Sequence, residues 1–145
     1  MNILKKLILK TPGFEFINKV RITGTLQVQE LSAQGKAELI LSYAKKYKCK
    51  KFIETGTFKG DTVDACKDFF EEITSIELSH ELFLESKARF ASIPKIHILE
   101  GNSGDLLPQV VIGSPVLFWL DAHYSGGYTA KGPEDSPVMK ELNFI

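Results

Sequence analysis

The chain contains 145 residues, and its 18 basic and 18 acidic side chains give a formal net charge of zero. Hydrophobic residues make up 43% of the chain and charged residues 25%, which excludes disordered and fibrous proteins. The balanced charge removes the general electrostatic argument for binding nucleic acid. No apolar run approaches the roughly 20 residues that span a bilayer. We therefore expect one soluble domain without a nucleic-acid partner or an integral membrane segment.

The beginning of the chain differs in pattern from the rest. The sequence Thr-Pro-Gly at 11–13 interrupts the first apolar stretch, so residues 1–32 are interpreted as an N-terminal segment and residues 33–145 as the domain. Lysines within that apolar stretch argue against a secretory signal. The chain has only two cysteines, Cys49 and Cys66, in no metal-binding pattern. These features predict a cytoplasmic protein.

From residue 33 onward, helical and strand patterns alternate. The predicted elements are a helix over 33–48, a strand over 51–55, a helix over 61–70, a strand over 72–77, a helix over 79–92, a strand over 95–99, a short crossover over 103–110, a strand over 115–120 and a helix over 136–144. The strands begin at intervals of about 22 residues, roughly one βα unit. This alternation predicts an α/β fold with a doubly wound parallel sheet.

The first predicted strand runs into a glycine-containing turn. Gly56 and Gly60 flank a strand-to-helix connection, where missing side chains let a ligand approach the backbone. No Walker lysine follows, and Thr57 or Phe58 stands where a dinucleotide-binding loop has its second glycine. The turn therefore indicates either a ligand loop that does not bind pyrophosphate or a purely structural turn.

The next strand ends in Glu77, 23 residues after Glu54. An acid at this position can accept hydrogen bonds from both hydroxyls of a ribose, whereas the alternative is a solvated carboxylate at a strand end. The third strand is followed by small polar residues at 101–103, and the fourth by Asp121-Ala122-His123-Tyr124. Because all four ends meet at one edge of a parallel sheet, the combination favours a nucleoside-containing ligand there.

Together these segments resemble the amino-terminal part of a class I S-adenosylmethionine-dependent methyltransferase, from about residue 35 to 145. The run ETGTFKG at 54–60 resembles the first motif of small-molecule O-methyltransferases of the catechol and caffeoyl-CoA type. The run GNSGDLLPQ at 101–109 resembles their segment after the third strand, and FWLDAH at 118–123 resembles their fourth-strand motif. The stretch DAHYSGG is also similar to bacterial methyltransferases that tailor sugars and antibiotics.

The resemblance implies S-adenosylmethionine as the cofactor and assigns its contacts. The two glycines of the turn would admit the methionine part, and Thr62 would hydrogen-bond its carboxylate. Glu77 would hold the ribose, and Asn102 with Ser103 would contact the adenine edge. The full predicted set of cofactor-binding residues is Glu54, Gly56, Thr57, Phe58, Gly60, Thr62, Glu77, Asn102, Ser103 and Asp121.

Asp121 lies where metal-dependent relatives place a Mg²⁺ ligand, so the resemblance makes Mg²⁺ a candidate second cofactor. Those relatives carry a lysine base three residues later, where this chain has Tyr124. His123 is then the candidate general base, because an imidazole can take a hydroxyl proton near neutral pH. An imidazole that anchors the loop or contacts the cofactor is the alternative. The predicted catalytic residues are Asp121 and His123.

The family's sheet has seven strands, of which only about four are found in this sequence. The resemblance therefore implies a C-terminally incomplete domain. Such a sheet would leave the edge of the fourth strand unpaired, which predicts a homodimer through that edge.

The leading hypothesis is methyl transfer to a small polar acceptor, on an oxygen of a sugar or secondary metabolite. A truncated, non-catalytic domain that binds S-adenosylmethionine or another protein is the second. An NAD-dependent oxidoreductase is the third, and the missing second glycine argues against it.

Overall fold

A computed structural model describes residues 6–10, 32–110, 115–122 and 137–145. The strands are β1 (Lys6–Lys10), β2 (Lys51–Thr55), β3 (Glu72–Glu77), β4 (Ile96–Glu100) and β5 (Val116–Leu120). The helices are α1 (Ala33–Tyr47), α2 (Asp61–Cys66), α3 (His80–Arg89), α4 (Ser103–Leu106), which continues into a 3₁₀ turn over Leu107–Gln109, and α5 (Val138–Phe144). Within these residues, no helix has the length and apolar character needed to cross a membrane.

The strands form one sheet in the order β1-β5-β2-β3-β4. Strands β5, β2, β3 and β4 run parallel to one another, as the α/β prediction requires, and the predicted doubly wound sheet is confirmed. Thr55 lies beside both Ile76 and Leu120 in the register. The carboxyl ends of the parallel strands, which carry the predicted site residues, therefore meet at one edge of the sheet.

The prediction of an unpaired edge on the fourth parallel strand is wrong. That strand is β5, and β1 pairs with it in antiparallel register, from Lys6 beside Leu120 to Lys10 beside Val116. The backbone of β1 therefore takes the ladder positions that a partner chain was expected to fill. The predicted homodimer through this edge loses its structural basis, and part of the N-terminal segment belongs to the sheet.

Two helices end earlier than predicted, although the aromatic residues that follow them are buried as expected for the same helix faces. Helix α2 ends at Cys66, and the ring of Phe70 stacks on Phe52 at a centroid distance of 5.1 Å. Helix α3 ends at Arg89, and the next residue, Phe90, is buried. Phe90 still donates its N–H to the carbonyl of Ser86 at 3.1 Å, so its ring stays on the buried stripe of the helix.

Two hydrophobic layers cover the faces of the sheet. Helices α1, α2 and α3 pack on one face, where the central side chains are Ile40, Phe52, Val63, Phe70, Ile73 and Leu117. The α4 region and α5 cover the other face, where the buried residues are Ile53, Ile76, Leu107, Val116, Phe118 and Leu120. All five residues of β5 are buried, as expected for a central strand with both faces covered.

Serine side chains begin two of the helices on the first face. The hydroxyl of Ser32 accepts the N–H of Gly35 at 3.1 Å, and the hydroxyl of Ser79 accepts the N–H of Leu82 at 3.5 Å. Such caps satisfy N–H groups that have no partner inside the helix. Ser79 lies two residues after Glu77, the predicted site residue at the end of β3. Its cap therefore places the start of α3 close to the predicted site.

The turn between β2 and α2 depends on glycine at its second end. Gly60 has a φ of +79°, and a Cβ placed there would lie 2.6 Å from Cε2 of Phe90. The ring of Phe90 therefore packs directly against the backbone of the turn. A side chain at this position would displace the ring and would also hold an unfavourable backbone conformation.

We expect Gly60→Ala to lower the free energy of unfolding by about 1–3 kcal/mol, for both of these reasons. Urea denaturation measures the change. Gly35→Ala in the first turns of α1 is the matched control, and it should leave stability unchanged or raise it by up to about 1 kcal/mol. Equal responses of the two variants would contradict the packing of Phe90 against the turn.

Candidate functional site

Glu77 forms the centre of the candidate site at the end of β3. Its side chain is buried, with 6% of the residue exposed, so the solvated alternative does not describe it. One carboxylate oxygen accepts the N–H of Phe58 at 2.7 Å, and the other accepts the N–H of Ser79 at 2.8 Å. Each oxygen has a further lone pair, so the fixed carboxylate can still accept hydrogen bonds from two hydroxyls of a ligand.

The loop over residues 56–60 is tied to β3 by its own backbone. The N–H groups of Gly56 and Thr57 both donate to the carbonyl of Ile76, at 2.9 and 3.3 Å, and the N–H of Gly60 donates to Thr57 at 2.9 Å. With the bond from Phe58 to Glu77, four N–H groups of the loop have partners within the protein. The loop is therefore rigid and offers few free donors to a ligand.

Gly56 makes the closest backbone approach in the site. Its φ is +84°, and a Cβ placed there would lie 2.9 Å from the carbonyl oxygen of Asp121. The glycine is therefore needed where the end of β2 passes the end of β5. A larger side chain would clash with the backbone of Asp121 even without a bound cofactor. It would also fill the space expected for the methionine part of the cofactor.

A chain of buried hydroxyls lies beneath the loop. The hydroxyl of Ser75 donates to Glu54 at 2.7 Å, and the hydroxyl of Thr57 lies 2.7 Å from that of Ser75. Either hydroxyl can be the donor in the second bond. Burial raises the pKa of Glu54 to about 8, opposed by the Ser75 hydrogen bond and the ammonium of Lys36. Glu54 therefore keeps its proton at neutral pH.

Asp121 is held at the end of β5 by one ion pair and by the backbone. The ammonium of Lys36, on α1, lies 2.6 Å from Oδ2 of Asp121. The N–H of Asp121 donates to the carbonyl of Thr55 at 3.0 Å, and the N–H of Ala122 donates to the Thr55 hydroxyl at 3.3 Å. The backbone of Asp121 thus lies beside Gly56, and its carboxylate already has a cation in contact.

The two residues predicted to contact adenine have partners within the protein. The side-chain oxygen of Asn102 accepts the N–H of Gly104 at 2.9 Å and caps α4. The hydroxyl of Ser103 donates to Glu141, on α5, at 2.5 Å. Burial raises the pKa of Glu141, opposed by hydrogen bonds with Ser103 and Thr55. The amide nitrogen of Asn102 lies outside the capping bond, whereas the Ser103 proton is directed to Glu141.

Two further predicted residues lie on opposite sides of the loop. Thr62 is buried in the first turn of α2. Phe58 is 44% exposed, and its ring lies 5.8 Å from the ammonium of Lys59. The carbonyl of Phe58 accepts the hydroxyl of Ser86 at 2.9 Å. An exposed aromatic ring on a backbone anchored at both its N–H and its carbonyl presents a flat surface at the loop.

The structure connects most of the predicted site residues. Glu54, Thr57, Phe58 and Glu77 are linked through the loop and β3, and Asp121 joins them at Gly56. Asn102 and Ser103 are engaged with α4 and α5 instead. The candidate base His123 and the following glycine-rich loop up to residue 136 lie outside the described residues.

The geometry around Asp121 does not fit the Mg²⁺ ion that the resemblance implied. Mg²⁺ takes oxygen ligands at about 2.0–2.1 Å in octahedral geometry. Oδ2 of Asp121 already contacts the Lys36 ammonium, and the described residues contain no cluster of three or more His, Cys, Asp or Glu side chains that could hold a metal. We therefore assign no step to a metal ion.

Three partners of the site were not predicted from the sequence, namely Lys36, Ser75 and Glu141. Lys36 precedes Ile40 and Ala44 at intervals of four on α1, so a lysine on the buried stripe was the available signal. Ser75 lies in the middle of a strand that is buried over five residues, which is a similar signal. Glu141 lies in a seven-residue helix whose pattern is too short to show which face is buried.

No protein-family model matches the chain, and no curated protein matches it. Solved structures do match. The SAH-bound methyltransferase PaMTH1 from Podospora anserina is 19% identical, with a TM-score of 0.49 over 57% of this chain and 38% of that chain. The O-methyltransferase TomG from Streptomyces achromogenes, solved with SAM and involved in tomaymycin synthesis, is 20% identical, with a TM-score of 0.49 over 58% of this chain and 40% of that chain.

The chain thus spans about two fifths of the length of the structures it matches. At these identities and TM-scores the likeness concerns the fold alone.

Burial of Glu54 makes folding depend on pH. Its folded-state pKa of about 8 lies above the ordinary value of 4.5, so the folded protein holds a proton that the unfolded chain releases between these pH values. The stabilisation is complete below the lower value and is lost as pH rises through the upper one. We expect Glu54 to lower the free energy of unfolding by up to about 1.4 kcal/mol per pH unit in this window.

Urea denaturation between pH 5 and 8 tests this expectation. Glu54→Gln should flatten the pH dependence, because the amide keeps the shape of the protonated acid and does not titrate. Glu85→Gln, at an exposed position on α3, is the matched control and should retain the wild-type slope. An unchanged slope in Glu54→Gln would show that the acid ionises in the folded protein without penalty.

Proposed function

We propose that this chain is an S-adenosylmethionine-dependent methyltransferase domain that acts on an oxygen of a small polar acceptor, such as a sugar or secondary metabolite. The observation that carries the proposal is the buried Glu77 carboxylate, oriented by two N–H groups beside a glycine turn. A ribose needs such an acceptor for its two hydroxyls. The motif resemblance from residue 35 to 145 supplies the class of cofactor.

The hydrogen bonds already made by the backbone of the loop over residues 56–60 favour S-adenosylmethionine over a dinucleotide. A pyrophosphate is bound through free backbone N–H groups close to glycine. Here the N–H of Phe58 donates to Glu77, and those of Gly56 and Thr57 donate to Ile76. The exposed ring of Phe58 stands where the backbone would have to be open. This supports a nucleoside cofactor without a pyrophosphate and argues against the oxidoreductase alternative.

The chemical groups of the site residues suit the proposed cofactor. Glu77 would accept the ribose hydroxyls, the amide of Asn102 would face the adenine edge, and Thr62 would bind the carboxylate of the methionine part. When bound, S-adenosylmethionine supplies a methyl group on a sulfonium that is already activated. The chain then has to orient the acceptor oxygen in line with that methyl group and remove its proton.

His123 is proposed as the base that takes the acceptor proton, and it directly follows Asp121 and Ala122 in the sequence. The small polar acceptor and the absence of a nucleic-acid partner are part of the same proposal, supported by the neutral net charge. Both described cysteines are free and buried, which supports the proposed cytoplasmic location.

Titration calorimetry with S-adenosylhomocysteine tests cofactor binding. We expect micromolar affinity for the wild type, none for NAD, and a loss of about 1–3 kcal/mol in Glu77→Ala, since the ribose loses its charged acceptor. Glu100→Ala is the matched control, because Glu100 lies beside Glu77 in the register but is exposed. Equal affinities in the two variants, both folded, would remove Glu77 from the ribose site.

A non-catalytic S-adenosylmethionine-binding domain would share this cofactor site. Transfer of a radiolabelled methyl group to a panel of sugars and phenols separates the two functions, since only the enzyme forms a methylated product. His123→Ala should abolish transfer and leave the calorimetric affinity within about twofold if the base assignment is correct.

A further inference from the structure

The carboxylate of Asp121 has a protein cation at the position where the resemblance implied a metal. Nζ of Lys36 lies 2.6 Å from Oδ2, and the two side chains are 20% and 9% exposed. Contacts of this length between ionised groups are the strong, charge-assisted kind. The partners are 85 residues apart in the chain, so the contact joins the start of α1 to the end of β5.

The placement of Lys36 follows from the pattern of α1. Lys36, Ile40 and Ala44 recur at intervals of four and therefore share one face of the helix. Ile40 and Ala44 are fully buried against the sheet, so this face directs the lysine toward the strand ends. A lysine that is buried to this degree requires a partner, and the fold supplies Asp121.

A divalent cation on Asp121 would have to replace this ammonium or bind close beside it. It would bind at about 2.0–2.1 Å from a carboxylate oxygen and would keep several waters. The ammonium lies 2.6 Å from Oδ2, so a divalent cation on either oxygen of the carboxylate would be repelled by it in a poorly hydrated space. The carboxyl of Glu54 interacts electrostatically with Lys36 and Asp121, and burial raises its pKa, which disfavours a second anionic ligand there.

We propose that Lys36 is the resident cation of this site, a positioning residue that holds Asp121 beside the glycine turn, and that no divalent cation binds Asp121. The role of the site in this inference rests on the proposed function, but the ion pair itself can be tested without measuring any activity. Within that function, methyl transfer would need no Lewis acid, and removal of the acceptor proton would fall to a side chain.

Titration with Mn²⁺, followed by electron paramagnetic resonance of the free ion, tests whether a metal binds. The samples are the wild-type chain and Asp121→Asn. We expect the wild type to have no Mn²⁺ site of submillimolar affinity that depends on Asp121. The titration curves of the two samples should therefore agree. A submillimolar Mn²⁺ site that is lost in Asp121→Asn would overturn the proposal.

A double-substitution cycle tests whether Lys36 holds Asp121. Lys36→Met should weaken binding of S-adenosylhomocysteine by about tenfold, because it leaves a buried carboxylate without its cation. Adding Asp121→Asn should restore most of the affinity and of the thermal stability, since no uncompensated charge then remains. Lys45→Met, at an exposed position on the same helix, is the control and should change neither.

Purely additive losses in the double variant would overturn the role given to Lys36. If no variant, including the wild type, binds S-adenosylhomocysteine, the proposed function fails. The Mn²⁺ titration and the recovery of thermal stability still decide the inference in that case.

Discussion

Burial of carboxyl groups at the carboxyl ends of the parallel strands is the constraint on which this structure depends. An ionised carboxylate removed from water is unstable unless it is hydrogen-bonded, paired or protonated. Three buried carboxyl groups of the site are each stabilised in a different way. Glu77 accepts two backbone N–H groups, Asp121 contacts an ammonium, and Glu54 keeps its proton and accepts a hydroxyl. None of these solutions is available within a single strand, so the site forms only when neighbouring elements are in place.

The same contacts therefore organise the fold around the site. Helix α1 contributes Lys36 to the end of β5, and β3 contributes Ser75 to the floor beneath the loop. The loop itself contributes the N–H of Phe58 to β3. Because each contact crosses between elements, a change in one of them would be felt both in stability and in the shape of the site. The glycines act at the same junctions, where backbone passes close to Asp121 or to an aromatic ring.

Much of this arrangement could be predicted from the sequence, because strand and helix periodicities are local. The four parallel strands, the glycine turn and the acid at the tip of β3 followed from spacing alone. Two kinds of feature could not. The antiparallel strand β1 is separated from β5 by more than a hundred residues. Its five-residue sequence KLILK does not indicate which strand it pairs with. The contacts of Lys36 and Glu141 also join residues far apart in the sequence, by 85 and 38 positions, so only tertiary packing identifies them. The ends of α2 and α3 were placed too late, because the apolar stripe continues past the last helical residue to Phe70 and Phe90.

The balance of donors and acceptors indicates what kind of ligand suits the site. Four N–H groups of the loop are already used, which leaves little to bind a phosphate. The oxygens of Glu77, in contrast, retain acceptor capacity, and the negative charge of Asp121 is compensated by Lys36. The uncompensated negative charge is thus concentrated at Glu77. Such a site favours ligands that donate hydrogen bonds or carry positive charge, and hydroxyl, ammonium and sulfonium groups meet that requirement whereas a pyrophosphate does not.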